Sequence, residues 1–184
     1  MIKMPLQAVS CLIIYFVLNI LYSFGLKNIP ILDVAIIVLG FIIRVLFGAI
    51  LLGIEMSNWL YLTILSLSFY LALGKRRGEI SNGNNKTREV LNYYNKDFLD
   101  KNMYTFLAIS IVFYSLWATD VTMVANTQNK LIWTIPFMII ICMKYSLTVE
   151  GDSHGDPVEV LLSDKVLMAL VLLYVLVMGI CILV

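Results

Sequence analysis

Apolar residues in this chain come in blocks close to the roughly 20 residues that a helix needs to cross a bilayer. That spacing limits what the chain can fold into more than any other feature. Six blocks run from about Pro5 to Phe24, Ile31 to Gly53, Asn58 to Leu73, Met103 to Thr119, Leu131 to Leu147 and Lys165 to Val184. Lipid satisfies no backbone amide, and strand alternation is absent, so each block reads as a helix. The fold class expected is therefore all-α: a polytopic transmembrane helix bundle of about six spans, in one domain over residues 1–184. Soluble domains carry about 25% charged and about 45–50% apolar residues. This chain has 14% and 61%, and the apolar surplus lies in the blocks. A net charge of +1 gives no reason to expect nucleic acid. Cys11, Cys142 and Cys181 all lie inside apolar blocks without CxxC spacing and read as small buried hydrophobes. Met1 to Met4 runs straight into the first block with no small-residue cleavage site, so no signal peptide is expected.

Lysine and arginine orient the bundle. Lys75, Arg76, Arg77, Lys86, Arg88, Lys96 and Lys101 crowd the stretch Gly74–Asn102, whereas Asp120–Lys130 holds only Lys130. The positive-inside rule puts Gly74–Asn102 in the cytoplasm, and counting spans puts Lys27 and Glu150–Asp164 there too. Both chain ends then face outward, which an odd number of upstream spans would explain. Trp59, Trp117 and Trp133 fall near span ends, where amphipathic rings prefer to sit. Within Asn82–Asn102, Tyr93, Tyr94 and Phe98 among charges suggest an amphipathic cap helix on the membrane face, or a plain solvated helix.

Three constellations carry chemistry. Gly74-Lys75-Arg76-Arg77-Gly78-Glu79 ends the third span. Arginine meets phosphate oxygens with a planar fork and lysine as a point charge. Glu79 could hold a divalent metal or a sugar hydroxyl, and the whole cluster could instead be a stop-transfer signal. The second run, Glu150-Gly151-Asp152-Ser153-His154-Gly155-Asp156-Pro157-Val158-Glu159, leads to Asp164 and Lys165. Its hard oxygen donors suit Mg²⁺, though a solvated acidic loop would look the same. The third is intramembrane polarity. Asp33 opens the second span and Arg44 sits inside it. Ionisable groups at such depth face a cavity or a partner, here a carboxylate or backbone carbonyls. Asn19, Tyr22 and Ser23 near the end of the first span could bond a ligand or join helices.

The run from Leu21 through Asp33, with Gly40 and Arg44 to Ala49, resembles the UbiA-type prenyltransferase superfamily. Within it, the decaprenyl-phosphate phosphoribosyltransferases are most similar. Their Gly-Lys-Arg-x-x-Glu motif is matched by Gly74, Lys75, Arg76 and Glu79. Their late acidic loop is matched by Gly155 to Glu159 and Asp164. The resemblance implies a fold of nine helices around a central cavity with a polar cytoplasmic cap, in a multi-pass protein of the plasma membrane. It implies Mg²⁺-assisted transfer from phosphoribosyl pyrophosphate to a polyprenyl phosphate. On that reading Lys75, Arg76 and Glu79 are the catalytic candidates. Tyr22, Lys27, Arg44, Lys144 and Tyr145 contact substrate, and Asp152, Asp156 and Glu159 hold the metal. The family's early Asn-Asp-x-x-Asp motif does not occur in these residues, and six spans fall three short of nine. The chain thus resembles the carboxy-terminal two-thirds of such an enzyme: a fragment, a mis-called start, or the partner of a separate N-terminal half. Three alternatives stay open. One is a transferase moving a prenyl group from a prenyl diphosphate to another acceptor, another a non-catalytic membrane remnant or partner subunit. The last, a small transporter, lacks the paired broken helices expected of one.

Overall fold

The computed structural model describes residues 5–82, 88–151 and 155–183, the side chains of Asn126 and Leu183 aside. Six long helices fall on the six apolar blocks: α1 Leu6–Ser23, α2 Leu32–Leu52, α3 Asn58–Ser81, α4 Lys96–Ala118, α6 Ile135–Glu150 and α8 Lys165–Leu183. Two short ones, α5 Val121–Thr127 and α7 Pro157–Ser163, lie between them, and 3-10 turns span Leu26–Asn28, Glu89–Tyr93 and Lys130–Thr134. The described residues contain no strand. Among them, four stretches are long and apolar enough to cross a membrane: α1, α2, Lys130–Glu150 and Lys165–Ile182. At 24 and 23 residues, α3 and α4 have the length. Their charged ends and internal hydroxyls lower their hydropathy.

Local chemistry sets the helix ends. Gly53 closes α2 in the left-handed region at φ 65°. The Asn95 side chain accepts from Asp97 N and caps α4. Asp156 caps α7, with Pro157 at its first turn. Asp164 accepts from Val166 N and Leu167 N and so starts α8.

Two boundaries differ from expectation. Helix α3 does not stop at Leu73 but continues through the charged motif to Ser81, and α4 begins at Lys96, before Met103. Charged residues such as lysine, arginine and glutamate are good helix formers, so backbone hydrogen bonding carries on where apolarity ends. A single cap helix over Asn82–Asn102 is not found. Its described part is the Glu89–Tyr93 turn followed by the first turns of α4, and residues 83–87 lie outside the described residues. Val90 and Leu91 of that turn are buried, so it plugs the bundle end instead of lying on it.

Sequential helices pack as neighbours, and α3 is the hub: it meets α2, α4, α6 and α7. The Leu26–Asn28 turn packs on the Glu89–Tyr93 turn, and α7 packs on α3. The three polar connections therefore gather at one end of the bundle.

Candidate functional site

The polar end is organised by three consecutive cations of α3. Successive residues of a helix are turned by about 100°, so Lys75, Arg76 and Arg77 point in three directions, and each meets a different partner. The Lys75 ammonium is ion-paired with Asp156 Oδ2 at the start of α7. Arg77 Nε donates to Asp100 Oδ1 of α4 at 2.6 Å, and its Nη1 donates to Val149 O of α6 at 2.9 Å. Arg76 turns toward α2. Its Nε donates to Asp33 Oδ2 at 2.7 Å and its Nη1 to Glu79 Oε2 at 2.7 Å.

Arg76 and Asp33 are both fully buried. Taking two charges out of water is costly, and the pair holds only because further bonds satisfy it. Asp33 Oδ1 accepts from the Tyr94 hydroxyl at 2.6 Å, and that hydroxyl in turn accepts from Ile31 N at 2.6 Å. Burial raises the Tyr94 pKa, and the bond it donates to Asp33 raises it further. One guanidinium nitrogen, Arg76 Nη2, is buried with no hydrogen-bond partner among the described residues.

Glycines let the acidic segment reach the motif. Gly155 has φ +72°, and a Cβ there would lie 2.6 Å from Gly74 O and 3.0 Å from Gly78 Cα. Only glycine fits this approach, in conformation and in space. The Tyr145 hydroxyl donates to Gly155 O at 3.1 Å and crowds Gly74 from the other side. The basic motif and the acidic run, separated by some 80 residues of sequence, thus form one site. The Lys75 ammonium holds the Asp156 carboxyl below its ordinary range, and bonds from the backbone at Val158 and Glu159 add to this.

An apolar cavity of about 440 Å³ lies among α3, α4, α6, α7 and α8. Tyr145 and Pro157 line it at the charged end, and Leu60 and Trp117 line it at the other.

The remaining candidates lie apart from this cluster, although Tyr22 and Arg44 line one small cavity of about 100 Å³ together with Asn19. Lys144 pairs with Asp164 Oδ2 at 2.8 Å, which Thr148 also approaches at 3.0 Å. This cluster secures the start of α8, and it pulls the Asp164 carboxyl down to about 2, chiefly through Lys144. Tyr22 accepts from Arg88 Nη1 at 3.2 Å. Lys27 is exposed on the Leu26–Asn28 turn at the same end. Arg44 meets no carboxylate among the described residues. It donates to the Tyr15 hydroxyl at 3.1 Å and lies 5.2 and 4.9 Å from the Tyr15 and Phe41 ring centroids. Asn19 and Ser23 bond the carbonyls of their own helix.

Among the described residues no group of three or more His, Cys, Asp or Glu side chains assembles for a metal. Asp152 and His154 lie outside the described residues. Asp156 and Glu159 stand one helical turn apart at the start of α7. Two such carboxylates suit an ion that takes its other ligands from water and substrate phosphates, as Mg²⁺ does. Asp33 and Tyr94 complete the site; the sequence marked Asp33 as an ionisable group in need of a cavity or partner and Tyr94 as part of a cap helix, and neither as a site residue. A carboxylate opening an apolar span was the available signal for Asp33. Nothing local marks Tyr94 as a site residue.

No protein-family model matches the chain. It is 35% identical over 175 residues to a Corynebacterium glutamicum protein named decaprenyl-phosphate phosphoribosyltransferase, an alignment covering 91% of this chain and 52% of that protein. Proteins of the same name from Mycolicibacterium smegmatis and Mycobacterium tuberculosis are 31% and 27% identical, over 88% and 91% of this chain and 54% and 56% of theirs. The chain is thus homologous to these proteins along nearly all its length, and it spans about half the length of the curated relatives it matches.

Proposed function

We propose, from its homology to proteins named decaprenyl-phosphate phosphoribosyltransferase, that this chain serves in a membrane-embedded transferase. The enzyme moves a 5-phosphoribosyl group from phosphoribosyl pyrophosphate to a polyprenyl phosphate. One observation carries the reading: an apolar cavity reaches Tyr145 and Pro157, beside the Lys75–Asp156 ion pair at the polar end. Such a pairing suits an amphiphile, with its phosphate among the charges and its isoprenoid chain in the cavity. A lipid phosphate oxygen attacks the anomeric carbon of the ribose. The bond to pyrophosphate breaks, and its electron pair leaves with that group. Cations held in place before reaction stabilise the departing charge without reorganising. Lys75 is suited to this because Asp156, its partner, is displaceable by a phosphate of greater charge. Arg76 belongs to the same phosphate site in this reading through Nη2, the one guanidinium nitrogen that Asp33 and Glu79 leave without a partner among the described residues. Mg²⁺ belongs to this proposal, with Asp156, Glu159 and Asp152 as the residues that would hold it; it would neutralise pyrophosphate oxygens. A cytoplasmic polar end, which the lysine and arginine bias supports, and residence in the plasma membrane are parts of the same proposal.

The test uses the chain in lipid nanodiscs, alone and as any longer product of its reading frame. Phosphoribosyl pyrophosphate is supplied with polyprenyl phosphate, and a prenyl diphosphate in parallel. Mg²⁺-dependent release of pyrophosphate that needs both of the first pair supports the reading. Prenyl transfer would replace it with the alternative donor, and silence in every form would leave a non-catalytic subunit. A charge-assisted bond contributes about 1.5–3 kcal/mol, so Lys75→Gln should weaken donor binding by roughly tenfold or more. Parental affinity in that variant would reduce the motif to a topology signal.

A further inference from the structure

Ile31 is the one β-branched residue with positive φ among the described residues. Its φ is +71°, in a region a β-branched residue enters only when its surroundings force it. Its side chain is 61% exposed, so packing does not supply that force. Two constraints do. Pro30 fixes the backbone before it, and the Tyr94 hydroxyl accepts its N–H at 2.6 Å. The same hydroxyl donates to Asp33 Oδ1, two residues on, while the ring of Tyr94 stacks on Phe98 at the start of α4. Asp33 in turn fixes the Nε edge of Arg76 through its other oxygen. A continuous chain of short bonds therefore runs from Tyr94 through Asp33 to the buried guanidinium, and the Ile31 N–H is tied to the same Tyr94 hydroxyl.

We infer that Tyr94 is a positioning residue: it latches the strained start of α2 so that Asp33 aims Arg76, and the 88–95 segment thereby sets how well the site holds a phosphate-bearing donor. The donor-binding half of this inference rests on the proposed reading of Arg76 as part of the phosphate site; the latch itself does not. Its geometry assigns each partner a task. Asp33 and Glu79 occupy two edges of the guanidinium, so Arg76 cannot rotate, and Nη2 stays without a partner among the described residues. Losing the Tyr94 hydroxyl would orphan Ile31 N and Asp33 Oδ1 together. Ile31 would relax to negative φ, the first turn of α2 would shift, and Arg76 would follow its carboxylate.

A double-mutant cycle of Tyr94→Phe and Ile31→Gly, in the full chain in nanodiscs, tests this. Phenylalanine keeps the ring that stacks on Phe98, and glycine accepts positive φ at no cost, so both variants retain the bundle's packing. Two readouts are taken: amide hydrogen exchange over residues 33–36, and binding of inorganic pyrophosphate with Mg²⁺. Tyr94→Phe should speed exchange at the start of α2 and weaken pyrophosphate roughly tenfold. Ile31→Gly alone should behave as the parent. In the double variant much of the loss should be recovered, since glycine leaves no strain for the latch to hold. Unchanged exchange in Tyr94→Phe overturns the latch, as do two effects that simply add. Altered exchange with parental pyrophosphate affinity overturns the link from the 88–95 segment to the site. If the parent itself binds no pyrophosphate, the reading of Arg76 fails, and exchange alone still decides the latch.

Discussion

Helices α1 and α3 are both long enough for a membrane, yet they are built oppositely. Of α1 only Ala8 is buried, and Leu12, Ile13, Ile14 and Phe16 face outward. Of α3 the buried residues include Thr63, Ser66, Ser68, Tyr70, Gly74, Arg76 and Gly78. The less apolar helix is the better packed. Lipid is as apolar as leucine, so burying a leucine gains little there. Small residues that allow close approach and polar groups that find partners are what join helices. Tyr70 shows how: its hydroxyl donates to Cys142 O at 2.8 Å and bonds Ser146 Oγ at 2.7 Å, tying α3 to α6.

This contrast can be broken by substitutions graded in size. Asp33→Ala should have the largest effect, because it strands the buried Arg76. Removing one partner of a buried pair costs about 3–5 kcal/mol, which unfolding of the protein in mixed micelles would register. A loss under 1 kcal/mol would mean that Glu79 alone satisfies the guanidinium. Next comes Gly155→Ala, which meets both an unfavourable φ and the Gly74 carbonyl. A strained position of this kind costs about 1–3 kcal/mol, and donor binding should weaken with stability as Asp156 leaves Lys75. At the other extreme, Ile13→Leu on α1 should fall within about 0.5 kcal/mol of the parent. A larger change would show that the outer face of α1 is covered by another helix.

Acid sharpens the same comparison at the polar end. Asp164 has its folded-state pKa pulled down to about 2, from an ordinary value of about 3.9. A depressed carboxyl contributes its stability above the ordinary value and loses it as pH falls toward the folded one. Stability should therefore drop between about pH 4 and about pH 2, the window between those two values. Asp164→Asn should flatten that part of the curve, which a pH series of thermal midpoints would reveal. Asp156 adds loss in the same direction, since Lys75 also holds it low.

Much of the architecture was readable without coordinates. All six long helices lie where apolar blocks of bilayer length lie, because a helix satisfies its own backbone and the block length is a local property. The two motifs at the polar end were also legible, since their residue types carry their chemistry with them. Side-chain partners were not. Asp33 and Arg44 share α2 as the conspicuous ionisable residues of one span. Asp33 pairs with Arg76 of α3 instead, and Arg44 settles on Tyr15 and Phe41. The motif Lys75-Arg76-Arg77 reads as one basic cluster, yet the helix turns its members to Asp156, Asp33 and Asp100. Sequence alone determined the number and kind of the long helices, the fold class, and which residues carry charge at the polar end. Only the tertiary structure decided that α3 continues through its motif, that Gly155 rests on Gly74 and Gly78, and that a tyrosine from a polar connection holds Ile31 and Asp33. Helical periodicity is written over a few neighbouring residues. The pairing of side chains dozens of positions apart depends on how whole helices rotate and pack, which no local pattern records.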